Sequence, residues 1–237
     1  MKTNISSPSC VVLEKSCLHI RLYAAPRFSA HALSGLELLI FRGSLLRNFI
    51  HLVVVLLLIG CGEPKLPSPF KASDITFSHA QADFHLFDAQ GNSRSLADYR
   101  GKVVALFFGY THCPDVCPTA LADMAQVMRM LGADADKVQV LFVTVDPERD
   151  TRELLAQYAP AFYPTFVGLS GDAEATAEAA RAFRIEYQKQ PAQSSSYTMD
   201  HSAGTFLISP SGRRVLLSPF AQRPEWLAQD IRLLLVL

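Results

Sequence analysis

Hydrophobic positions in the C-terminal two thirds of the chain form short apolar runs that alternate with amphipathic stretches. Two continuous runs, 103–109 and 138–145, are rich in β-branched and aromatic residues, which is typical of strands covered on both faces. The stretch 119–131 between them places its apolar residues on one helical stripe and ends at Gly132. The pattern therefore predicts a strand–helix–strand unit around a buried sheet.

Further elements continue this alternation toward the C-terminus. They are a helix at 151–158 capped by Asp150 and ended by Pro160, a strand at 166–169, a helix at 172–183, a strand at 185–189, strands at 205–208 and 215–217, and a helix opened by Pro224. A short strand, turn and return at 84–95 predict an N-terminal β-hairpin. This order predicts an α/β fold with a central mixed β-sheet flanked by helices on both faces.

The most apolar run, 49–59, precedes this domain and is interrupted only by His51. As a helix it would be about 16 Å long, at about 1.5 Å per residue, whereas a bilayer core is about 30 Å thick. Arg42 and Arg47 prevent its extension toward the N-terminus. The run is therefore typical of the hydrophobic region of a signal peptide.

The run ends in Leu58-Ile59-Gly60-Cys61, which resembles the lipobox of bacterial lipoproteins. The resemblance implies that Cys61 is lipidated, becomes the mature N-terminus and anchors the protein to the cell membrane on its periplasmic side. The predicted regions are a leader of uncertain nature at 1–41, a signal peptide at 42–60, a proline- and glycine-containing tether at 61–77 and a domain at 78–237. We interpret 1–41 as upstream reading frame.

The charge distribution fits an exported domain. The 22 basic side chains are matched by 22 acidic ones, but the basic excess lies before residue 61 and the acidic excess after it. A balanced charge argues against nucleic-acid binding, which needs a basic face. Five cysteines are too few for a disulfide-built mini-protein.

Two of the cysteines, Cys113 and Cys117, lie in the loop that joins the first buried strand to its helix, where open α/β sheets gather their chemistry. Pro114 and Pro118 oppose a helix through this loop, so we expect Cys117 at about the N-cap and Cys113 in an exposed loop before it. The helix N-terminus is expected to lower the pKa of the nearer thiol. The spacing leaves two chemistries open, a disulfide or the chelation of one soft ion.

Three sequence blocks resemble the motifs of the SCO/SenC proteins, which are thioredoxin-fold copper chaperones of cytochrome c oxidase assembly. The blocks are Gly109-Tyr110-Thr111-x-Cys113-Pro114-Asp115-x-Cys117-Pro118, Val145-Asp146-Pro147-x-Arg149-Asp150-Thr151 and Tyr197-x-Met199-Asp200-His201-Ser202. The resemblance runs from about Ser78 to the C-terminus, and it implies a thioredoxin-like fold. We interpret the second block as a structural turn, with a docking surface as the alternative.

The resemblance further implies one copper ion bound by Cys113, Cys117 and the distant His201. Two thiolates are soft donors that select Cu(I), and one imidazole completes a trigonal site that also tolerates Cu(II), whereas zinc usually takes a fourth ligand. We expect His201 in a loop just before the strand at 205–208, opposite the cysteines. His112 occupies a variable position of its block, so we interpret it as a bystander or a weak alternate ligand.

The function implied by the resemblance is that of a copper chaperone. It would accept copper from a donor protein and deliver it to the binuclear copper centre of cytochrome c oxidase subunit II or a similar cuproprotein. The alternatives are a thiol–disulfide oxidoreductase that reduces the cysteines of the acceptor and a redox sensor. In the oxidoreductase, Cys113 and Cys117 would be the catalytic dithiol, with Cys113 attacking and Cys117 resolving.

Overall fold

The structure, a computed structural model, describes residues 47–53, 68–191 and 197–237. Residues 47–53 are helical and belong to a unit that ends at Lys65, while a second unit begins at Leu66. The expectations for the leader at 1–41, most of the signal peptide and the lipidation of Cys61 concern residues outside the described part. No helix among the described residues has both the length and the apolar character needed to cross a bilayer.

The second unit contains ten strands and five α-helices within its described residues. In chain order they are β1 (Ser73–Asp74), α1 (Thr76–His79), β2 (Leu86–Phe87), β3 (Ser93–Arg94), β4 (Val103–Gly109), α2 (Val116–Leu131), β5 (Val138–Thr144), α3 (Arg152–Phe162), β6 (Val167–Leu169), α4 (Ala173–Ala182), β7 (Tyr187–Pro191), β8 (Tyr197–His201), β9 (Gly204–Ile208), β10 (Val215–Pro219) and α5 (Pro224–Leu235). Short 3-10 helices occupy Leu96–Tyr99 and Gly132–Lys137.

The central sheet has the strand order β1-β10-β9-β4-β5-β6. Strands β4, β5 and β6 are parallel, while β9, β10 and β1 add antiparallel neighbours on the other side of β4. Strands β2 and β3 form the expected N-terminal hairpin. The predicted α/β class with a central mixed sheet is therefore confirmed.

Helices cover both faces of this sheet. Successive side chains of β4 point in opposite directions, so two neighbouring residues show what packs on each face. Phe107 lines a small cavity with Met124 of α2 and Leu227 of α5. Phe108 instead packs against Phe183, the residue that follows α4. All residues of β4 and β5 are buried, as the continuous apolar runs predict.

Helix α2 begins at Val116, three residues before the predicted start. Pro118 is its third residue, and proline is tolerated there because the N–H groups of the first turn have no partner within the helix. Cys117 consequently lies inside the first turn and not at the N-cap, which is Asp115. Gly132 follows the helix at the predicted place, with a positive φ of 59°.

Helix α3 differs from its prediction at both ends. Its N-cap is Thr151, whose hydroxyl accepts a hydrogen bond of 3.3 Å from Leu154 N, and not Asp150. Pro160 lies inside the helix, which continues to Phe162. The rings of Tyr158 and Phe162 are 5.4 Å apart, and such a contact one turn apart stabilises the last turn.

Regular secondary structure is present before residue 78, within the stretch predicted as a tether. Strand β1 pairs with β10, so it covers what would otherwise be an edge of the sheet. The carboxylate of Asp230, which is fully buried in α5, accepts hydrogen bonds from the backbone N–H groups of Lys71 and Ala72 at 2.7–3.1 Å. These contacts hold the start of the domain against its last helix.

Strands β7 and β8 form an antiparallel hairpin that the sequence did not predict as such. The strand predicted at 185–189 lies at Tyr187–Pro191, and His201 is the last residue of β8, opposite Tyr187, and not in a loop. The polar sequence of β7 lacks the apolar alternation that marks a half-buried strand. Residues 192–196 of the predicted loop lie outside the described part.

Candidate metal centre

The cysteine loop follows the C-terminal end of β4. The N–H of Cys113 donates to Tyr110 O at 3.3 Å, and the N–H of Cys117 donates to Cys113 Sγ at 3.4 Å. Gly109, the last residue of β4, permits the close approach of Cys117, because a Cβ atom there would lie 2.8 Å from Cys117 Sγ. The strand end and the first turn of α2 thus hold the two sulfur atoms beside each other.

Hydrogen bonds to Asp150 hold the cysteine loop in place. The buried carboxylate of Asp150 accepts hydrogen bonds from Thr111 N at 2.9 Å, Thr111 Oγ1 at 2.6 Å and Thr144 Oγ1 at 2.7 Å. His112 Nδ1 lies 3.6 Å from the same carboxylate, and its side chain is half exposed. Asp150 therefore joins the cysteine loop to the end of β5.

His201 approaches the cysteines from the end of β8. Its Nε2 atom lies 3.6 Å from Cys117 Sγ, while Nδ1 lies 3.1 Å from the carbonyl oxygen of Ser202. A carbonyl oxygen only accepts, so Nδ1 carries the proton and Nε2 presents its lone pair toward the sulfur atoms. This is the tautomer that a metal ligand requires.

The surroundings of His201 keep its ring neutral. The rings of Phe107 and Tyr110 pack against the imidazole in T-shaped arrangements at centroid distances of 6.3 and 6.0 Å. Burial among these rings lowers the pKa of His201 below 6.5, although the hydrogen bond to Ser202 O opposes the shift. The neutral imidazole is the form that binds metal ions.

Burial has the opposite effect on Cys117. Its side chain is inaccessible to solvent, and the loss of hydration raises the pKa of the Cys117 thiol above 9, with Cys113 and Asp150 adding to the shift. The expectation of a lowered pKa is wrong for Cys117, because desolvation outweighs the field of the helix N-terminus. Cys117 is also buried and not exposed. Cys113 is partly exposed, as expected.

The donor atoms of Cys113, Cys117 and His201 all lie within 4.8 Å of one another. Metal–sulfur and metal–nitrogen bonds of about 2.0–2.3 Å place the ligands of a trigonal ion about 3.5–4 Å apart. The three donors therefore fit one soft metal ion after small side-chain movements. His112, the alternate ligand considered above, is not in this group, which is drawn from the described residues.

A groove of about 420 Å³ opens to solvent beside Cys113 and His201. It runs between the cysteine loop and β8, and its lining includes Cys113, Pro114, His201 and the exposed carboxylates of Asp115 and Asp200. Ligands of a second protein can reach the site through this opening. Two of the three donor residues, Cys113 and His201, therefore line an open groove, while Cys117 lies buried behind them.

The second sequence block contributes a polar cluster that the sequence analysis did not identify beyond a turn. Arg149 Nε donates to Asp146 Oδ2 and Arg149 Nη1 donates to Tyr197 O at 2.9 Å. Tyr197 OH donates to Asp146 Oδ1 at 2.7 Å. All three residues occur in the motif blocks, which is the sequence signal that could have identified this cluster. Their contacts, however, depend on the tertiary fold.

Comparison with known proteins gives one consistent result. The family model described as SCO1/SenC matches residues 73–235. Among curated proteins, the protein SCO2 homolog, mitochondrial, of Bos taurus is 46% identical over 155 residues, which cover 64% of this chain and 58% of that protein. The chain thus spans less than two thirds of the length of this relative.

Solved structures give the same result for the fold. The structure of Bradyrhizobium japonicum ScoI with copper bound is 41% identical with a TM-score of 0.59, covering 63% of this chain and 96% of that one. The solution structures of apo Sco1 from Thermus thermophilus are also 41% identical, with a TM-score of 0.57 and coverage of 65% and 90%. The thioredoxin-like fold expected from the motifs is confirmed by this similarity.

Proposed function

The chain belongs to the SCO1/SenC family, and on this premise we propose that it is a copper chaperone of cytochrome c oxidase assembly. It binds one copper ion through Cys113, Cys117 and His201 and delivers it to the binuclear copper centre of oxidase subunit II or a similar cuproprotein. The observation that carries the proposal is the convergence of these three donor atoms within 4.8 Å.

The donor set supports copper as the cargo. Two thiolates and one imidazole are soft and intermediate donors that suit Cu(I), and three ligands leave it coordinatively open. The similarity to a ScoI protein solved with copper bound supports the same ion. The preformed tautomer of His201 further favours metal binding over a purely structural role for this ring.

Delivery would proceed by ligand exchange through the groove. A thiolate or imidazole of the acceptor enters beside Cys113 and bonds to the ion, one protein ligand leaves, and the step repeats until the ion has moved. Copper stays Cu(I) throughout, and the released cysteines take up the protons that the acceptor thiols lose. The partly exposed Cys113 is the ligand that an acceptor would reach first.

The proposed setting is the periplasmic side of the cell membrane, where the lipid on Cys61 would hold the protein near its partners. The lipobox-like sequence at 58–61 and the proline-containing stretch after it support this location. A separate copper donor protein would load the site. No nucleic acid is involved in this function.

A thiol–disulfide exchange activity is the second candidate, because the adjacent sulfur atoms differ in exposure. Cys113 would attack a disulfide of the acceptor, and Cys117 would then resolve the mixed disulfide. The acceptor gains two electrons and two protons as two thiols, while Cys113 and Cys117 become a disulfide. Such a pair would equally serve as a redox sensor that controls copper loading, since oxidised sulfurs bind no metal.

Anaerobic titration of the purified protein with Cu(I) tests the primary function. We expect binding of one ion per chain, followed by transfer of the ion to the soluble copper-binding domain of an oxidase subunit II. Loss of Cu(I) binding after oxidation of the dithiol is the matched control. A protein that binds no Cu(I) but reduces the disulfide of the acceptor would replace the chaperone with the oxidoreductase.

A further inference from the structure

The hairpin that carries His201 is separate from the central sheet. In the described part of the chain, β7 and β8 are hydrogen-bonded as strands to each other and to no strand of that sheet. We propose that Arg149, together with Asp146, positions this hairpin for copper binding. The inference rests on the proposed function. It implies that the turn after β5, which carries both residues, controls the affinity for the metal.

Three polar contacts form a closed ring between the turn and the hairpin. The guanidinium of Arg149 binds the carboxylate of Asp146 and the carbonyl of Tyr197, and the hydroxyl of Tyr197 binds the same carboxylate. The Asp146 side chain is fully buried and that of Arg149 is mostly buried. Charge-assisted hydrogen bonds in such a place are stronger and more directional than surface ion pairs.

Arg149 also contacts aromatic rings on both sides of the site. Its guanidinium carbon lies 3.7 Å from the ring centroid of Tyr197 and 5.8 Å from that of Tyr110. Tyr110 in turn packs against the His201 ring in a T-shaped arrangement. Arg149 therefore touches the first residue of β8 and also the ring that supports its last residue, without itself being a ligand.

The hairpin buries Met199 in the core, but its packing against the turn is incomplete. A cavity of about 220 Å³ lies between the hairpin and the turn, with Tyr187 and Met199 on one side and Val145 and Pro147 on the other. Lys189 and Glu148 form an ion pair here, but both side chains are largely exposed, and such pairs stabilise little. The ring of Arg149, Asp146 and Tyr197 is therefore a buried, charge-assisted contact that adds direction to the packing of the hairpin.

The expected consequence is a loss of metal affinity without a change of ligands. Residues that orient metal ligands typically change the affinity about 10- to 100-fold when they are replaced. Lysine keeps the charge of Arg149 but loses the planar fork and the stacking on Tyr197. The substitution Tyr197→Phe keeps the aromatic ring and removes only the hydrogen bond from the hydroxyl to Asp146.

The test measures Cu(I) affinity by competition with a chromophoric chelator for Arg149→Lys and Tyr197→Phe, each with His201 present and in a His201→Ala background. We expect Arg149→Lys to weaken binding about 10-fold or more when His201 is present, and Tyr197→Phe to weaken it less. With His201→Ala, neither substitution should weaken it further. Two control variants make the same chemical changes elsewhere. Arg152→Lys is at an exposed position and Tyr163→Phe is away from the hairpin, so neither should change the Cu(I) affinity.

Equal losses in both backgrounds would overturn the proposal, because they would show that Arg149 acts on the dithiol or on the fold in general. Unchanged affinity with His201 present would also overturn it. If Arg149→Lys does not fold, the milder Tyr197→Phe decides the question.

A readout without copper separates this inference from the proposed function. In the metal-free protein, the aromatic rings of Tyr110 and Phe107 shift the NMR signals of the His201 ring, so release of the hairpin must change these signals. We expect altered His201 signals in both variants and unaltered ones in the two controls. Identical His201 signals in Arg149→Lys would refute the positioning role, whereas failure of the unsubstituted protein to bind Cu(I) would refute only the copper function.

Discussion

The Nε2 atom of His201 lies 3.6 Å from Cys117 Sγ, although 84 residues separate the two along the chain. The cysteine comes from the first turn of α2 and the histidine from the end of β8, so their distance is set by the tertiary fold. A metal ion that bridges them binds the folded chain more tightly than the unfolded one, which offers only the neighbouring cysteines. Copper binding is therefore expected to raise the thermal stability of the domain.

Replacement of His201 by alanine separates copper binding from dithiol chemistry. The variant loses one of three donors, so we expect its Cu(I) affinity to fall by at least about 100-fold, beyond the range typical of residues that only orient ligands. Oxidation of Cys113 and Cys117 to a disulfide should remain possible, because it needs only the sulfur atoms. Competition titration and thiol quantification measure the two properties.

His112→Ala is the matched control for this experiment. His112 neighbours Cys113 in sequence but lies beside Asp150 and is half exposed. Its removal should leave the affinity within error of the unsubstituted protein. An unchanged affinity in His201→Ala would instead make the dithiol alone the binding site.

The two cysteines should differ in their rates of alkylation. Cys113 is partly exposed, whereas the side chain of Cys117 is buried and its raised pKa keeps the thiol protonated. We expect iodoacetamide to modify Cys113 first in the reduced, metal-free protein, and Cu(I) to protect both residues. Peptide mass spectrometry at early times measures the two rates, and equal rates would show that the loop opens faster than the reagent reacts.

Copper affinity should increase with pH around neutrality. Burial raises the pKa of Cys117, so the metal displaces a proton from this thiol, and each released proton changes the apparent affinity about tenfold per pH unit. His201 adds no such dependence there, because burial lowers its pKa and the ring is already neutral. Competition titrations at several pH values test this, and a flat profile would mean that both thiols are ionised before copper binds.

The raised pKa of Cys117 also makes the stability of the metal-free protein depend on pH. Because the folded-state pKa of Cys117 is raised, its contribution to stability is complete below the ordinary thiol pKa of 9.0 and decreases as the pH rises above it. Denaturant unfolding at mildly and strongly alkaline pH measures this loss. Cys117→Ala should remove this part of the pH dependence.

Replacement of Asp150 by alanine should destabilise the cysteine loop. The buried carboxylate accepts two hydrogen bonds from Thr111 and one from Thr144, and their loss leaves buried donors without partners. We expect a decrease of about 2–4 kcal/mol in the free energy of unfolding. Denaturant unfolding measures it, with the exposed Asp136→Ala as a control that should stay within about 0.5 kcal/mol of the unsubstituted protein.

Sequence patterns predicted the part of the fold that depends on local periodicity. Strands β4 and β5 were predicted at 103–109 and 138–145 because both are buried along their whole length and therefore apolar at most positions. The stripe from Leu121 to Leu131 identified α2, whose apolar face is buried. The cysteine loop followed from its place between these elements.

Features that depend on contacts between distant segments were missed or misplaced. The resemblance to a family identified His201, but its place at the end of a strand came from pairing with β7, which has no apolar pattern. The burial of Cys117 depends on its close approach to Gly109 at the end of β4, so the local argument from the helix N-terminus gave the wrong direction for its pKa. Asp150 was expected to cap a helix, whereas its partners lie in the cysteine loop and β5.

The independence of β7 and β8 from the six-stranded sheet within the described residues has an evolutionary consequence. Substitutions of exposed residues in this hairpin can alter the orientation of the third donor while the hydrophobic interior, to which the hairpin contributes Met199, stays unchanged. Homologous hairpins could therefore be transplanted onto this scaffold, provided that the partners of Arg149 travel with them. Natural selection has the same freedom to retune ion preference without rebuilding the body that supports it.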